Sequence, residues 1–305
     1  MSRMSTRLRA MVKRGQFLEL PAVYDPITAR IAQRAGFKTI YNGGFVTGGK
    51  SSQSEPLLTM SDQIGVGGEI AKSVDVPLVM DGGAGWGEPL HTMRTVRECI
   101  WAGISGIHIE DQLFPKRAHY HTYVVHNITR DEFVDKIRLA CRQRDELDKD
   151  FVIIARSDAA RVSGMKEAID RVNAAADVGA DMGLVFPRTH AEAVDAPKRS
   201  RLPLVYVQSR GTRDGRPLYG FGQLKDMGYA GSIDATMSIC ITEHFMGKAM
   251  AELKKTGDYT GMTEPQFVTA RKAVEDLAGL EGFYKIEQET VEKSKPAKKA
   301  KAGRE

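Results

Sequence analysis

The sequence predicts a (β/α)8 barrel of the TIM type, with extra helices at its C-terminus. Three observations predict it. Eight short apolar runs alternate with longer amphipathic stretches, which is the βα repeat of a parallel sheet. The runs end in polar or charged residues, as the functional rim of a barrel requires. The 305 residues exceed the ~250 of such a barrel and leave room for terminal extensions. A doubly wound sheet has the same alternation, but eight units with polar strand ends favour the barrel.

In chain order, a basic N-terminal segment (1–14) offers Leu8, Met11 and Val12 as the apolar side of a short amphipathic helix. Predicted strands cover 17–24, 39–41, 76–80, 106–109, 151–155, 182–186, 204–207 and 231–233. Mostly continuous apolar runs of this kind suit strands buried on both faces. Helical patterns separate them, for example at 26–35, 61–72, 89–101, 130–147, 165–178 and 221–227. Gly36, Gly103, Gly179 and Gly228 stand just before strands, where glycine ends a helix with a left-handed cap. After the last strand, 243–255 and 264–284 read as helices beyond what a closed barrel needs. They are expected to dock on a neighbouring subunit. The barrel with these helices spans 15–292, and the low-complexity basic tail, 293–305, is expected to be disordered.

The net charge of +5 belongs to the chain ends. Residues 293–305 carry six Lys/Arg against one acid, residues 1–14 carry five against none, and the body is therefore net −5. A folded nucleic-acid-binding face is poorly supported. No apolar stretch approaches the ~20 residues of a membrane span, and the N-terminus lacks the apolar core of a secretory signal. Cys99, Cys141 and Cys240 are scattered and odd in number, with neither disulfide nor zinc spacing. A reducing cytoplasm is the simplest setting. All three fall in helical stretches, where buried thiols are expected.

Two strings carry the chemistry: Met80-Asp81-Gly82-Gly83-Ala84-Gly85-Trp86-Gly87-Glu88 and Gly106-Ile107-His108-Ile109-Glu110-Asp111-Gln112. Each is an apolar run ending abruptly in carboxylates. Two carboxylates at one rim suit a hard divalent cation such as magnesium. Alternatively, they cap the following helices or pair with nearby arginines. The barrel brings further strand ends to the same mouth: Asp25, Asn42-Gly43-Gly44, Arg156-Ser157-Asp158, Arg188, Gln208 and Asp234. Oxygen ligands, backbone amides and cations together suit a small polyanionic substrate bound through a metal. The Gly43-Gly44 step lets backbone N–H groups approach a carboxylate. Arg156 is placed to clamp a carboxylate bidentately, or to form an ion pair across the mouth. Asp158 reads as its partner. His108 alternates with Glu110, so both point the same way, into the barrel or the site.

These strings resemble the isocitrate lyase/phosphoenolpyruvate mutase superfamily. The matching segments are Tyr41-Asn42-Gly43-Gly44, 81–88, 106–112 with Phe114-Pro115-Lys116-Arg117, Ala155-Arg156-Ser157-Asp158-Ala159 and Gly179-Ala180-Asp181-Met182, in family order. The resemblance implies a C-terminal helix swapped between subunits, a dimer or tetramer, and magnesium, with manganese as an alternative. It also implies 2-oxo or 2-hydroxy carboxylates that react through an enolate. Metal coordination then falls on Asp81 and Glu110, and substrate binding on Tyr41, Asn42, Gly43, Gly44, Lys116, Arg117 and Arg156. There are departures. The usual Asp-x-Asp reads Asp81-Gly82-Gly83, and the lyases' Lys-Arg-Cys-Gly-His reads Lys116-Arg117-Ala118-His119-Tyr120-His121. Arg188 replaces a glutamate, and Val207 or Gln208 an asparagine. His119 or His121, in what is a gating loop in lyase relatives, would replace the thiol as proton donor, since imidazole titrates near neutrality; the alternative is a plain surface loop. The expected activity is a magnesium-dependent carbon–carbon lyase. The alternatives are an oxaloacetate-type decarboxylase, which needs no thiol acid, and a non-catalytic carboxylate-binding barrel.

Overall fold

A computed structural model describes residues 3–117, 124–212 and 215–293. The apolar runs form eight strands: β1 (Leu18–Pro21), β2 (Ile40–Asn42), β3 (Leu78–Asp81), β4 (Gly106–Glu110), β5 (Val152–Ser157), β6 (Met182–Val185), β7 (Leu204–Gln208) and β8 (Gly231–Asp234). All pair in parallel, in the order β1-β8-β7-β6-β5-β4-β3-β2. A single bridge between Ala22 and Tyr41 closes the ring, with Val23 N–H donating to the Tyr41 carbonyl at 2.8 Å.

The helices are α1 (Met4–Lys13), α2 (Pro26–Arg34), α3 (Gly44–Lys50), α4 (Met60–Ser73), α5 (Pro89–Trp101), α6 (Arg130–Leu147), α7 (Gly164–Asp177), α8 (His190–Arg199), α9 (Phe221–Asp226), α10 (Met237–Thr256), α11 (Glu264–Ala278) and α12 (Leu280–Glu289). The chain divides into two compact units, Met1–His244 and Phe245–Glu305.

Strand alternation sorts the first unit's core into layers. Inward-facing Leu18, Leu20, Val79, Val152, Ile154, Met182, Leu184, Val205 and Ile233 fill the barrel, joined by Leu8 of α1. Outward-facing Leu78, Met80, Ile107, Ile109 and Ile153 pack on Ile70, Val96, Phe133 and Ile137 of the surrounding helices. A Cβ at Gly106 would lie 2.8 Å from the Val152 carbonyl oxygen and 3.2 Å from Leu8 Cδ2. Only glycine leaves room there for the N-terminal helix to seat Leu8.

Three expectations change. Asp25, expected at the rim, caps α2: its Oδ1 accepts the Thr28 N–H at 2.8 Å. The expected 264–284 helix breaks at Gly279, whose φ of 76° ends α11. Cys99 and Cys141 are buried, but Cys240 is exposed. Among the described residues no helix is long and apolar enough to cross a membrane. The expected tail beyond residue 293 lies outside the described residues.

Candidate active site

The site is built on the C-terminal ends of β2 to β5. Asp81, the last residue of β3, accepts the Gly83 N–H at 2.8 Å on Oδ1 and the Gly44 N–H at 3.3 Å on Oδ2. The Gly43-Gly44 step is required because neighbours fold over it. A Cβ on Gly43 would meet the Tyr41 ring at 2.7 Å, and one on Gly44 would meet the Glu55 side chain at 2.5 Å.

On β4 the inward face presents His108 and Glu110. Parallel register sets Asp81 beside His108 and Glu110 beside Arg156. Glu110 Oε1 lies 2.9 Å from Lys116 Nζ, and its Oε2 lies 3.0 Å from Arg156 Nη2. Arg156 also meets Asp158 at 3.1 Å and Asp81 at 3.8 Å. Lys116 is ion-paired with Glu55 as well. His108 Nε2 and the Tyr41 hydroxyl share a hydrogen bond of 2.8 Å. His108 Nδ1 lies 3.6 Å from Asp81 Oδ1, too long for a hydrogen bond.

Asp111, adjacent to Glu110, faces the other way. It accepts from Ser157 Oγ (2.7 Å), Arg171 Nη1 (3.2 Å), Asn127 Nδ2 and the Asp158 N–H (both 2.8 Å). It ties β4 to α7 and takes no part in the cavity.

Burial raises the Glu110 carboxyl to about 7, against the pull of Arg156 and Lys116. Burial likewise raises Glu55. At Asp81 burial is outweighed by His108, Arg156 and Lys116, which hold the carboxyl below its usual range. Burial lowers His108 to about 4, in spite of Asp81, so the imidazole is neutral at pH 7. Burial also raises the Tyr41 hydroxyl. Four carboxylates (Glu55, Asp81, Glu110 and Asp158) thus surround two fixed cations, Lys116 and Arg156.

A cavity of about 540 Å³ opens on this cluster. Its sequence signature extends over most of the chain: the family profile for phosphoenolpyruvate phosphomutase matches residues 8–256. The chain belongs to the phosphoenolpyruvate mutase/isocitrate lyase superfamily.

It is an enzyme of a superfamily of carbon–carbon lyases and mutases. It is 32% identical over 255 residues to the probable 2-methylisocitrate lyase 2 of Corynebacterium glutamicum, covering 83% of this chain and 81% of that one. The crystal structure of 2,3-dimethylmalate lyase superposes with a TM-score of 0.86 at 27% identity, covering 95% of this chain and 96% of the other. Oxaloacetate acetylhydrolase in complex with 3,3-difluorooxalacetate gives 0.85 at 28% identity, with 93% and 96% covered. Phosphonopyruvate hydrolase in complex with oxalate and Mg²⁺ gives 0.81 at 26% identity, with 95% and 100% covered.

Within this superfamily barrel, Tyr41, Gly43, Gly44, Asp81, Lys116 and Arg156 line the cavity. Glu110 is fully buried beside them. Asn42 is elsewhere engaged: its amide donates to the Val23 carbonyl and Thr47 Oγ1 at 3.0 Å and accepts from Gln63 at 2.9 Å. That locks β2 to its flanking helices and leaves no donor for a ligand. Arg117 is exposed, with Nη1 3.2 Å from His126 Nε2. His119 and His121 lie outside the described residues. Arg188 donates its backbone N–H to Glu192 at 2.7 Å. Gln208 bonds Ser232 and the Tyr219 N–H. Asp234 pairs with Arg210 at 2.8 Å.

Four contributors escape the sequence reading. Glu55 comes from a turn with no periodic signal. Phe186 stacks on the Arg156 guanidinium at 4.9 Å. Arg161 lines the cavity from a 3-10 turn. The buried ammonium of Lys136 donates to the Ala84 carbonyl at 2.8 Å, bracing the glycine loop that follows Asp81.

The donor set fits a hard divalent cation. Asp81 and Glu110 are oxygen donors. Around Asp81 four buried carboxyl groups meet two cations, Lys116 and Arg156, and burial already holds Glu110 partly protonated near neutral pH; a Cβ at Gly83 would meet nothing within 4 Å. For an ion to reach Glu110, Lys116 must release it. Among the described residues, no group of three or more His, Cys, Asp or Glu side chains converges on one point, so water and substrate oxygens would complete the shell.

Proposed function

We propose that the protein cleaves a carbon–carbon bond of a small 2-hydroxy or 2-oxo carboxylic acid by way of an enolate. The observation that carries this reading is the cluster of four buried carboxyl groups around only Lys116 and Arg156 beside Asp81, at the mouth of a superfamily barrel. Asp81 and Glu110 would hold magnesium, with manganese as the alternative. When bound, that ion supplies positive charge at the carbonyl where the enolate develops. The remaining work falls to the chain itself. The Gly43-Gly44 turn and Tyr41 present the floor on which the oxo-acid end rests. The Arg156 guanidinium lines that floor and offers charge to a carboxylate. Tyr41, whose hydroxyl shares a hydrogen bond with neutral His108, offers a fixed polar partner to a substrate oxygen. His119 or His121 remains the proposed donor to the carbanion.

A second reading, oxaloacetate-type cleavage or decarboxylation, is favoured by the likeness to oxaloacetate acetylhydrolase and needs no replacement for the missing thiol. We assign the site's substrate as a carboxylate in either case. The C-terminal helices support a homo-oligomer, dimer or tetramer: α10, α11 and α12 bury no residue, and Phe245, Met250, Phe283 and Ile286 are exposed. Three free cysteines fit a cytoplasmic setting.

The test is direct. The full chain is incubated with 2-methylisocitrate, 2,3-dimethylmalate or oxaloacetate, with magnesium or with a chelator, and products are followed by mass spectrometry. Magnesium-dependent release of an oxo acid from a hydroxy acid supports the lyase. Carbon dioxide or oxalate from oxaloacetate alone supports the second reading. No turnover, and no magnesium-dependent thermal shift, overturns both.

A further inference from the structure

The enolate reading accounts for the acids and for the cations that pair with them, but among the described residues of the cavity wall Arg161 is left over. Arg156 meets Glu110, Asp158 and Asp81; Lys116 meets Glu55 and Glu110; Arg210 meets Asp234. Arg216 stacks on Phe186 at 4.9 Å, the same ring that Arg156 stacks on. Arg161 lines the same cavity, yet among the described residues its guanidinium makes no hydrogen bond or ion pair.

Its backbone is well anchored. The 3-10 turn Ala159–Arg161 begins directly after Asp158, and Ala159 is buried. The Arg161 N–H is held by the Asp158 carbonyl at 3.5 Å. Arg161 therefore stands five residues beyond Arg156, outward of the strand end, on a segment fixed by the catalytic strand itself. A planar fork of donors on a cavity wall, with no carboxylate partner among the described residues, is a ready site for an oxyanion. The apolar lining of Val125, Phe186, Val207 and Ala235 suits the hydrocarbon segment of a ligand rather than more polar groups.

We propose that Arg161 is a specificity-determining residue: it anchors a second anionic group of the substrate, remote from the end that reacts at Asp81. The preferred substrates are then dianionic acids, a 2-oxo or 2-hydroxy acid at one end and a carboxylate at the other. This inference rests on the enolate reading, which fixes which end of the substrate lies at Asp81.

The test compares ligand pairs by calorimetry in magnesium, using the full chain. The probes are oxalate, 2-oxoglutarate, and 2-oxovalerate, which matches the last in length but lacks the distal carboxylate. Wild type is expected to prefer 2-oxoglutarate to 2-oxovalerate by about tenfold or more, the usual scale of one charge-assisted pair. Arg161→Gln should erase that preference and leave oxalate affinity within about twofold, while Arg161→Lys should restore part of it. Thermal melts establish that both variants are folded. A preference that survives in Arg161→Gln, or its absence in wild type while oxalate still binds, overturns this inference alone. Failure of oxalate to bind wild type overturns the enolate reading, and this inference with it.

Discussion

The two ends of the barrel each hold a buried cluster of acids and arginines, and they differ in how completely the charges are matched. At the N-terminal end, Asp181 is surrounded. Arg9 and Arg144 both pair with it, Arg144 at 3.0 Å, and the Ile153 N–H donates to it at 2.8 Å. Two cations converge on Asp181, Arg144 pairing with the exposed Asp145 as well, and they join α1, α6 and the strands. At the C-terminal end four carboxylates share two cations, and neither Glu110 oxygen has a well-aligned hydrogen bond. Matched burial makes a fastener, whereas unmatched burial leaves a charge that a ligand can satisfy.

Substitutions at the two ends should therefore behave oppositely. Glu110→Gln is expected to cut turnover by about 10²–10³-fold, measured on whichever acid the product assay identifies. Its stability to urea should stay level or rise, because a buried excess charge is removed. Asp181→Ala should do the reverse. It removes the partner that Arg9 and Arg144 share, leaving Arg9 on the Phe151 carbonyl and Arg144 on Asp145 and the Gly179 carbonyl, and is expected to cost about 1–3 kcal/mol, read from urea denaturation, with turnover of the folded fraction retained. Equal stability losses at the two ends would erase the distinction.

Acid titration sharpens the contrast. In magnesium-free buffer Glu110 carries a folded-state value of about 7 against 4.5 for the ordinary side chain. The folded protein holds its proton where the unfolded chain has lost it, so this group's contribution to stability falls as pH rises from 4.5 to about 7. Glu110→Gln should flatten that slope, and magnesium should reduce it. The smallest effect is expected at the N-terminal end. Ser5 Oγ donates to Asp148 at 2.7 Å from a buried position, and Ser5→Ala should cost about 1 kcal/mol without touching turnover.

Much of this arrangement was legible in the sequence, and the reason is geometric. Period-two burial and polar strand ends put Asp81, Glu110 and Arg156 at one mouth, where the parallel register places Glu110 beside Arg156. Three-dimensional contacts were less legible. Asn42 looks like a ligand donor beside two glycines, yet the nearby Val23 carbonyl, Thr47 and Gln63 take up its amide. The Gly-rich stretch after it carries no helical pattern yet folds as α3, and the residues that follow turn back over it: Gln53 N–H donates to the Gly48 carbonyl at 2.8 Å. Glu55 carries no periodic mark, so only the fold reveals its pairing with Lys116. The helix between β6 and β7 contains Pro197 near its end, which blurs the 3.6-residue pattern. Arg161 gives no sign in sequence, since its lack of a partner among the described residues is a property of the surrounding space.

The closure of the ring has a consequence of its own. Every other joint between neighbouring strands is a ladder of paired residues, whereas β1 and β2 share one backbone bridge, Ala22 to Tyr41, supplemented by side-chain bonds from Thr39 to the Glu19 carbonyl and from Asn42 to the Val23 carbonyl. A hoop under thermal stress parts first at its thinnest weld, so breathing of the barrel begins beside Tyr41 and the Gly43-Gly44 turn. Amide exchange at Val23 should run ahead of that at Ile107 or Ile154. The stave that loosens soonest is then the one that carries the floor of the cavity, which gives a bulky ligand a way to settle without prying apart the rest of the wall.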